Sequence, residues 1–94
     1  MYLLNLMMLL GRILILIINI IGVRNVTFVD QSTSNQISGK TYYYMYEDNN
    51  VQGYAADKFF ISNNVVDPFF VGKAFEVVYN RYGKFDFSKV RECV

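Results

Sequence analysis

The sequence predicts a mainly β protein: a small five-stranded antiparallel barrel or sandwich, OB-like or SH3-like, preceded by one apolar N-terminal helix. Three observations lead there. From Val26 onward, apolar and polar residues alternate with a period of two, the spacing of a strand with one buried face. The chain holds 8 Tyr and 8 Phe, all but Tyr2 after Asn25, and large rings favour pleated, half-buried surfaces. Clusters of Gly, Asn, Asp and Ser interrupt these runs at short spacing, which suits an all-β fold and leaves no room for a long amphipathic helix.

The first element is the exception. Residues 3–23 are almost continuously apolar, broken by Asn5, Arg12 and Asn19. As a helix, about 20 residues rising about 1.5 Å each span about 30 Å, the hydrocarbon thickness of a bilayer. Each Leu or Ile contributes about −0.5 kcal/mol to insertion and a central Arg opposes it by about 3, so the aliphatics outweigh Arg12. The expectation is a division into an apolar segment, residues 1–23, and a β domain, residues 24–94. The segment would be a single-pass membrane anchor, with Arg24 and Lys40 favouring a cytoplasmic β domain. Two other readings remain open. The segment could be a signal sequence, Arg12 closing its charged region, although no small-x-small cleavage site follows. It could also lie outside the natural product, with translation starting at Val23.

Five strands are expected after it. Residues 26–30 alternate, and residues 31–39 form a loop rich in Ser, Thr, Asn and Gln. Residues 41–46 make an aromatic strand, and residues 47–50 a polar hairpin turn. Residues 51–62 form a longer strand, bent at Gly53 or across Ala55 and Ala56. Asn63, Asn64 and the only proline, Pro68, break the pattern. Residues 73–80 alternate again, with Phe75, Val77 and Tyr79 on one side. Asn80 and Gly83 mark a turn, Asn80 opening it and Gly83 supplying the left-handed residue of a bulge. Residues 84–90 return as the fifth strand.

Catalytic chemistry is not expected. The chain has no histidine and a single cysteine, Cys93, so the commonest general base and a zinc ligand set are both missing. It has no phosphate-binding glycine motif, and residues 47–50 lack the spacing of a calcium loop. Asp57 and Glu76 sit in strand contexts that suit surface positions. The sequence implies no cofactor and no metal.

Two patterns suggest binding. Alternation places Tyr42, Tyr44 and Tyr46 on one face, where they either fill a small barrel or form a stacking platform for bases. Gly–Lys recurs at 39–40, 72–73 and 83–84; Lys73 and Lys84, joined by Arg81, are the candidates for phosphate contacts. Such aromatic strands punctuated by Gly–Lys turns are loosely similar to small single-stranded-DNA-binding barrels, though no diagnostic motif covers the chain. From Arg24 onward, eight Lys and Arg balance eight Asp and Glu. A neutral domain is a weak polyanion binder. The leading expectation is therefore a non-enzymatic, membrane-anchored β module, held in the membrane by residues 3–23 and docking another protein. The alternative is a soluble barrel binding single-stranded nucleic acid.

Overall fold

The structure is a computed structural model that describes residues 14–79 and 84–93. Five strands form one antiparallel sheet: β1 (Leu14–Val29), β2 (Gln36–Glu47), β3 (Tyr54–Ser62), β4 (Ala74–Tyr79) and β5 (Arg91–Glu92). Their order is β3-β2-β1-β4-β5. The sheet is open, because its edges β3 and β5 do not pair, so the expected barrel is not formed. A two-residue β5 is too short to carry the sheet round to β3.

The second correction concerns the apolar segment. Residues 14–23 are not helical; they form the first ten residues of β1, the central strand, which crosses the expected boundary at 23/24. Residues 1–13 lie outside the described residues. The physical reason is burial on alternate positions. Leu16, Ile18 and Ile20 face the core, and Ile18 is 0% exposed. Five isoleucines between Ile15 and Ile21 suit a strand, where β-branched side chains pack well and lose little rotamer freedom. Among the described residues no helix is long and apolar enough to cross a membrane.

The hairpin joining β1 to β2 is set by Asp30. Its Oδ1 accepts from the Ser32 amide at 2.9 Å and from the Ser32 hydroxyl at 2.7 Å. These bonds hold the Asp30 carboxyl below its usual range. Ser34 completes the reversal with φ +60°. The pairing of β1 with β2 then slips by one residue: Ile20 opposes Tyr44 but Gly22 opposes Tyr43, which leaves Ile21 as a β-bulge. Backbone bonds from Ile20 N to Lys73 O (3.0 Å) and from Gly72 N to Ile20 O (2.9 Å) tie the bulge to the approach of β4.

Among the described residues the core lies on one face only. Tyr42, Tyr44, Ile61, Phe75 and Val77 join the three β1 residues there, with Phe69 folded over them from the β3–β4 connection. The C-terminal segment adds Phe85, Phe87 and Val90. That segment was expected as a strand. It instead makes one bridge, Tyr79 to Phe85, then a 3₁₀ turn at Phe87–Lys89. Asp86 causes the change by accepting from the Ser88 amide at 3.1 Å, an N-cap that stops extension. The third strand begins at Tyr54 because Gly53 turns the chain with φ +91°. The turn assigned to Asn80 and Gly83 falls outside the described residues.

Gly39 is required by packing. A Cβ there would sit 2.6 Å from Phe60 Cζ and would also meet the Ile61 carbonyl oxygen. Gly39→Ala is expected to destabilise the fold by about 1–3 kcal/mol, the usual range for overpacking. A urea midpoint equal to that of the parent protein would refute this.

Candidate functional site

Because successive side chains alternate across a strand, the register sorts the sheet into two faces. The covered face holds the expected tyrosine platform. Tyr42 and Tyr44 are each 2% exposed, and Tyr46 packs against them at the margin. The Tyr42 hydroxyl donates to Asp67 Oδ2 at 2.6 Å and lies 3.1 Å from the Phe69 carbonyl. Asp67 Oδ1 in turn accepts from the Phe69 amide at 2.9 Å. Tyr42 thus clamps the β3–β4 connection over the core, and its ring has no open side for a base. Tyr44 is hydrogen-bonded to Tyr79. Lys73 and Lys84 are exposed, and Arg81 lies outside the described residues. The structure does not bring an open aromatic surface together with these lysines.

Burial first, and then the hydrogen bond to Asp67, push the Tyr42 hydroxyl well above the usual tyrosine range. Burial and the bond to Tyr79 do the same for Tyr44. The folded state therefore holds these protons more tightly than the unfolded chain, whose tyrosines titrate near 10. Stability from this source is complete below about pH 10 and is lost as pH rises beyond it. The urea midpoint is expected to be level from neutral pH to about 9 and to fall steeply above 10. Tyr42→Phe and Tyr44→Phe should each lower stability at neutral pH and flatten the alkaline fall. A midpoint unchanged above pH 10 would contradict this account.

The opposite face, which the described residues leave uncovered, was not foreseen. On its β1–β4 half it carries Ile15, Ile17, Asn19, Glu76 and Val78, since these positions alternate with buried ones and pair with each other. Ile17 is 54% exposed. From β2 come Thr41, Tyr43, Met45 and Glu47, and from β3 Tyr54, Ala56, Lys58 and Phe60, each paired across the ladder. Beyond the bulge, β1 presents Arg24, Val26 and Phe28. Phe28 is 44% exposed and meets Phe60 edge-on at 5.6 Å between centroids. The signal was present in the sequence. Residues 14–18 are apolar at odd and even positions alike, and a strand apolar on both faces is one that proteins cover twice.

Arg24 and Lys58 stand towards one end of this face, and Glu47, Glu76 and Arg91 towards the other. Lys58 pairs with Tyr43, and Arg24 with Thr41, so both cations sit towards the β1–β2 hairpin. Glu76 pairs with Ile17 at the opposite end, where one Arg91 guanidinium nitrogen lies 3.1 Å from both its carboxylate oxygens. Glu47 lies two residues beyond Met45, which pairs with Asn19, and so falls level with Ile17. No group of three or more potential metal-ligating side chains occurs among the described residues.

Comparison with protein-family models, curated proteins and solved structures finds no match to this chain.

Proposed function

We propose that the protein is a non-enzymatic β module that docks a polypeptide on the uncovered face of its sheet. The observation that supports this is Ile17, 54% exposed on the central strand, with half-buried Ile15, Met45 and Val78 near it on the same face. Contiguous apolar surface of this kind marks interaction sites on soluble domains. A membrane anchor is not carried into the proposal, because half of the apolar segment that suggested it is spent on β1.

A photo-reactive amino acid in place of Ile17, in the full chain expressed in its native cells, tests the reading. The expected product is a covalent adduct with a polypeptide, absent when the same group replaces Asn63 in the exposed β3–β4 connection. Recovery of no polypeptide adduct from position 17 would overturn it.

Single-stranded nucleic acid is the second reading. It is favoured by Phe28, Tyr43 and Phe60 lying on the same face as Arg24 and Lys58. Only two exposed cations lie beside these rings, which limits phosphate contacts, and Glu47 repels the strand at the other end. Labelled oligothymidylate at low salt should show no anisotropy rise at tens of micromolar protein. A rise abolished by Arg24→Ala or Lys58→Ala would establish this second reading instead.

A further inference from the structure

We infer that the β3–β4 connection, residues 63–73, is a contact loop for a bilayer surface that carries anionic lipid. This goes beyond the docking reading and uses a different part of the molecule from the face around Ile17.

The connection holds its apolar side chains outward. It joins β3 to β4, which lie on either side of β2 and β1, so it must cross both. It crosses on the covered face, where Phe69 packs into the core at 5% exposure. Val65, Val66, Phe70 and Val71 remain 43%, 87%, 46% and 48% exposed. Their backbone is tied down along its length. Asn63 N donates to Ser38 O and Val65 N to Ser62 O, each at 3.0 Å, and Gly72 N donates to Ile20 O at 2.9 Å. Asp67 pins the middle through the Tyr42 hydroxyl and the Phe69 amide. Single exposed apolar residues are ordinary on a protein surface. Four of them held outward between residues 65 and 71 form a concentrated patch, the kind that marks a protein or membrane contact. Val23, 46% exposed and paired with Tyr42, adds to it from the covered side of β1.

Charge selects the lipid. Lys73 ends the connection, and Lys40 shares its side of the sheet. Arg24 and Lys58 stand on the other side of neighbouring rungs. The carboxylates among them are Asp57 and Asp67, and both already accept hydrogen bonds: Asp57 Oδ1 from the Lys58 amide at 2.8 Å, Asp67 from Tyr42 and Phe69. Even with Asp30 counted, at the far tip of the β1–β2 hairpin, four cations face three carboxylates at this end. Both ion pairs among the described residues, Lys89–Asp86 and Arg91–Glu76, lie at the opposite end, together with Glu47, Asp48 and Glu92. A protein partner would need a pocket shaped for Val66, whereas fluid acyl chains need none. Shallow apolar insertion alone binds a bilayer weakly and reversibly, so a second signal is required. Cations beside the apolar residues supply it by attraction to anionic headgroups within about 10 Å.

The chain has no tryptophan, so Val66→Trp in the full chain places a lone fluorescent reporter on the connection. With vesicles of phosphatidylcholine and phosphatidylserine its emission should move to shorter wavelength, and added salt should reverse the move. Val51→Trp, in the exposed β2–β3 turn at the opposite end, should show no move. In the Val66→Trp chain, Val71→Asp should weaken vesicle affinity by about tenfold or more. Lys73→Gln should weaken it by about fivefold, the effect of one cation at an anionic surface. Ile17→Lys should leave it unchanged, with the same circular dichroism spectrum in every variant. No shift at position 66, an equal shift at position 51, or equal affinity for phosphatidylcholine alone overturns the inference. So does affinity indifferent to Val71→Asp. Attachment through another part of the chain would leave position 66 unshifted and counts against it. A photo-reactive group at position 66 that yields a polypeptide adduct in cells, without any vesicle shift, would make the connection a protein site instead.

Discussion

A chain that begins at Arg24 is expected to be unfolded, whereas one that begins at Leu14 should retain a single cooperative unfolding transition. Among the described strands, β1 alone links β2 to β4 in the sheet. Removing residues 14–23 deletes every rung of the β1–β4 ladder, from Leu14↔Tyr79 to Asn19↔Ala74. It also deletes Leu16, Ile18 and Ile20 from the core. Burying an aliphatic side chain contributes about 1.5–3 kcal/mol, so the three together supply roughly 5–9 kcal/mol. A small domain has about 5–15 kcal/mol in total, and this one would lose its central strand as well. Far-ultraviolet circular dichroism with thermal melting distinguishes the two fragments. A cooperative melt of the 24–94 fragment would show that residues 14–23 are dispensable and would undo the fold described here.

Phe59→Ala is the second change expected to unfold most of the protein. The Phe59 ring lies with centroids 4.9 to 5.7 Å from those of Tyr42, Tyr44, Phe69, Phe85 and Phe87. It therefore joins the sheet, the β3–β4 connection and the C-terminal segment in one aromatic cluster. Truncating a large core ring costs about 3–5 kcal/mol, through lost transfer energy and the cavity left behind. The C-terminal segment should fail first. Phe85 and Phe87 are its main attachments to the core, and β5 adds only Phe75↔Glu92 and Glu76↔Arg91. Amide exchange should show residues 84–93 losing protection in Phe59→Leu, a milder change, while β1 and β2 keep theirs. Equal loss across the sheet would mean that the cluster has no such hierarchy.

How far the fold was legible depends on the kind of signal each segment carries. Val77 and Tyr79 against Glu76 and Val78 gave β4 by simple alternation, and Thr41 to Tyr46 gave the middle of β2 by its run of rings, whereas residues 36–39, expected as loop, are strand paired with β1. The Tyr42, Tyr44 and Tyr46 parity was also readable, but not which parity faces inward. That is decided by Phe69 and Phe59, whose positions depend on pairings across the chain. Residues 14–23 misled because a continuous apolar run has no period, so a doubly covered strand and a membrane helix look alike. The β-branched isoleucines were the discriminating residues. The C-terminal segment was misjudged because Asp86 and Ser88 occupy the polar positions of an alternating pattern while also forming a cap. The uncovered face escaped attention because the bulge at Ile21 shifts the parity of β1, which puts Arg24 and Phe28 beside Lys58 and Phe60.

The placement of β1 has a consequence in time as well as in space. Its pairing partners in β4 lie about 60 residues later in the chain, as in Ile18↔Phe75. At about 5–20 residues per second of synthesis, the nascent strand waits roughly 3–12 seconds before β4 emerges to complete its ladder. During that interval β1 can form only the hairpin with β2 and the meander with β3, and Ile15 to Ile18, which pair with β4 alone, stay open to whatever samples apolar nascent chain. The residues that make the mature sheet cohere are thus, on the ribosome, the segment most in need of a chaperone.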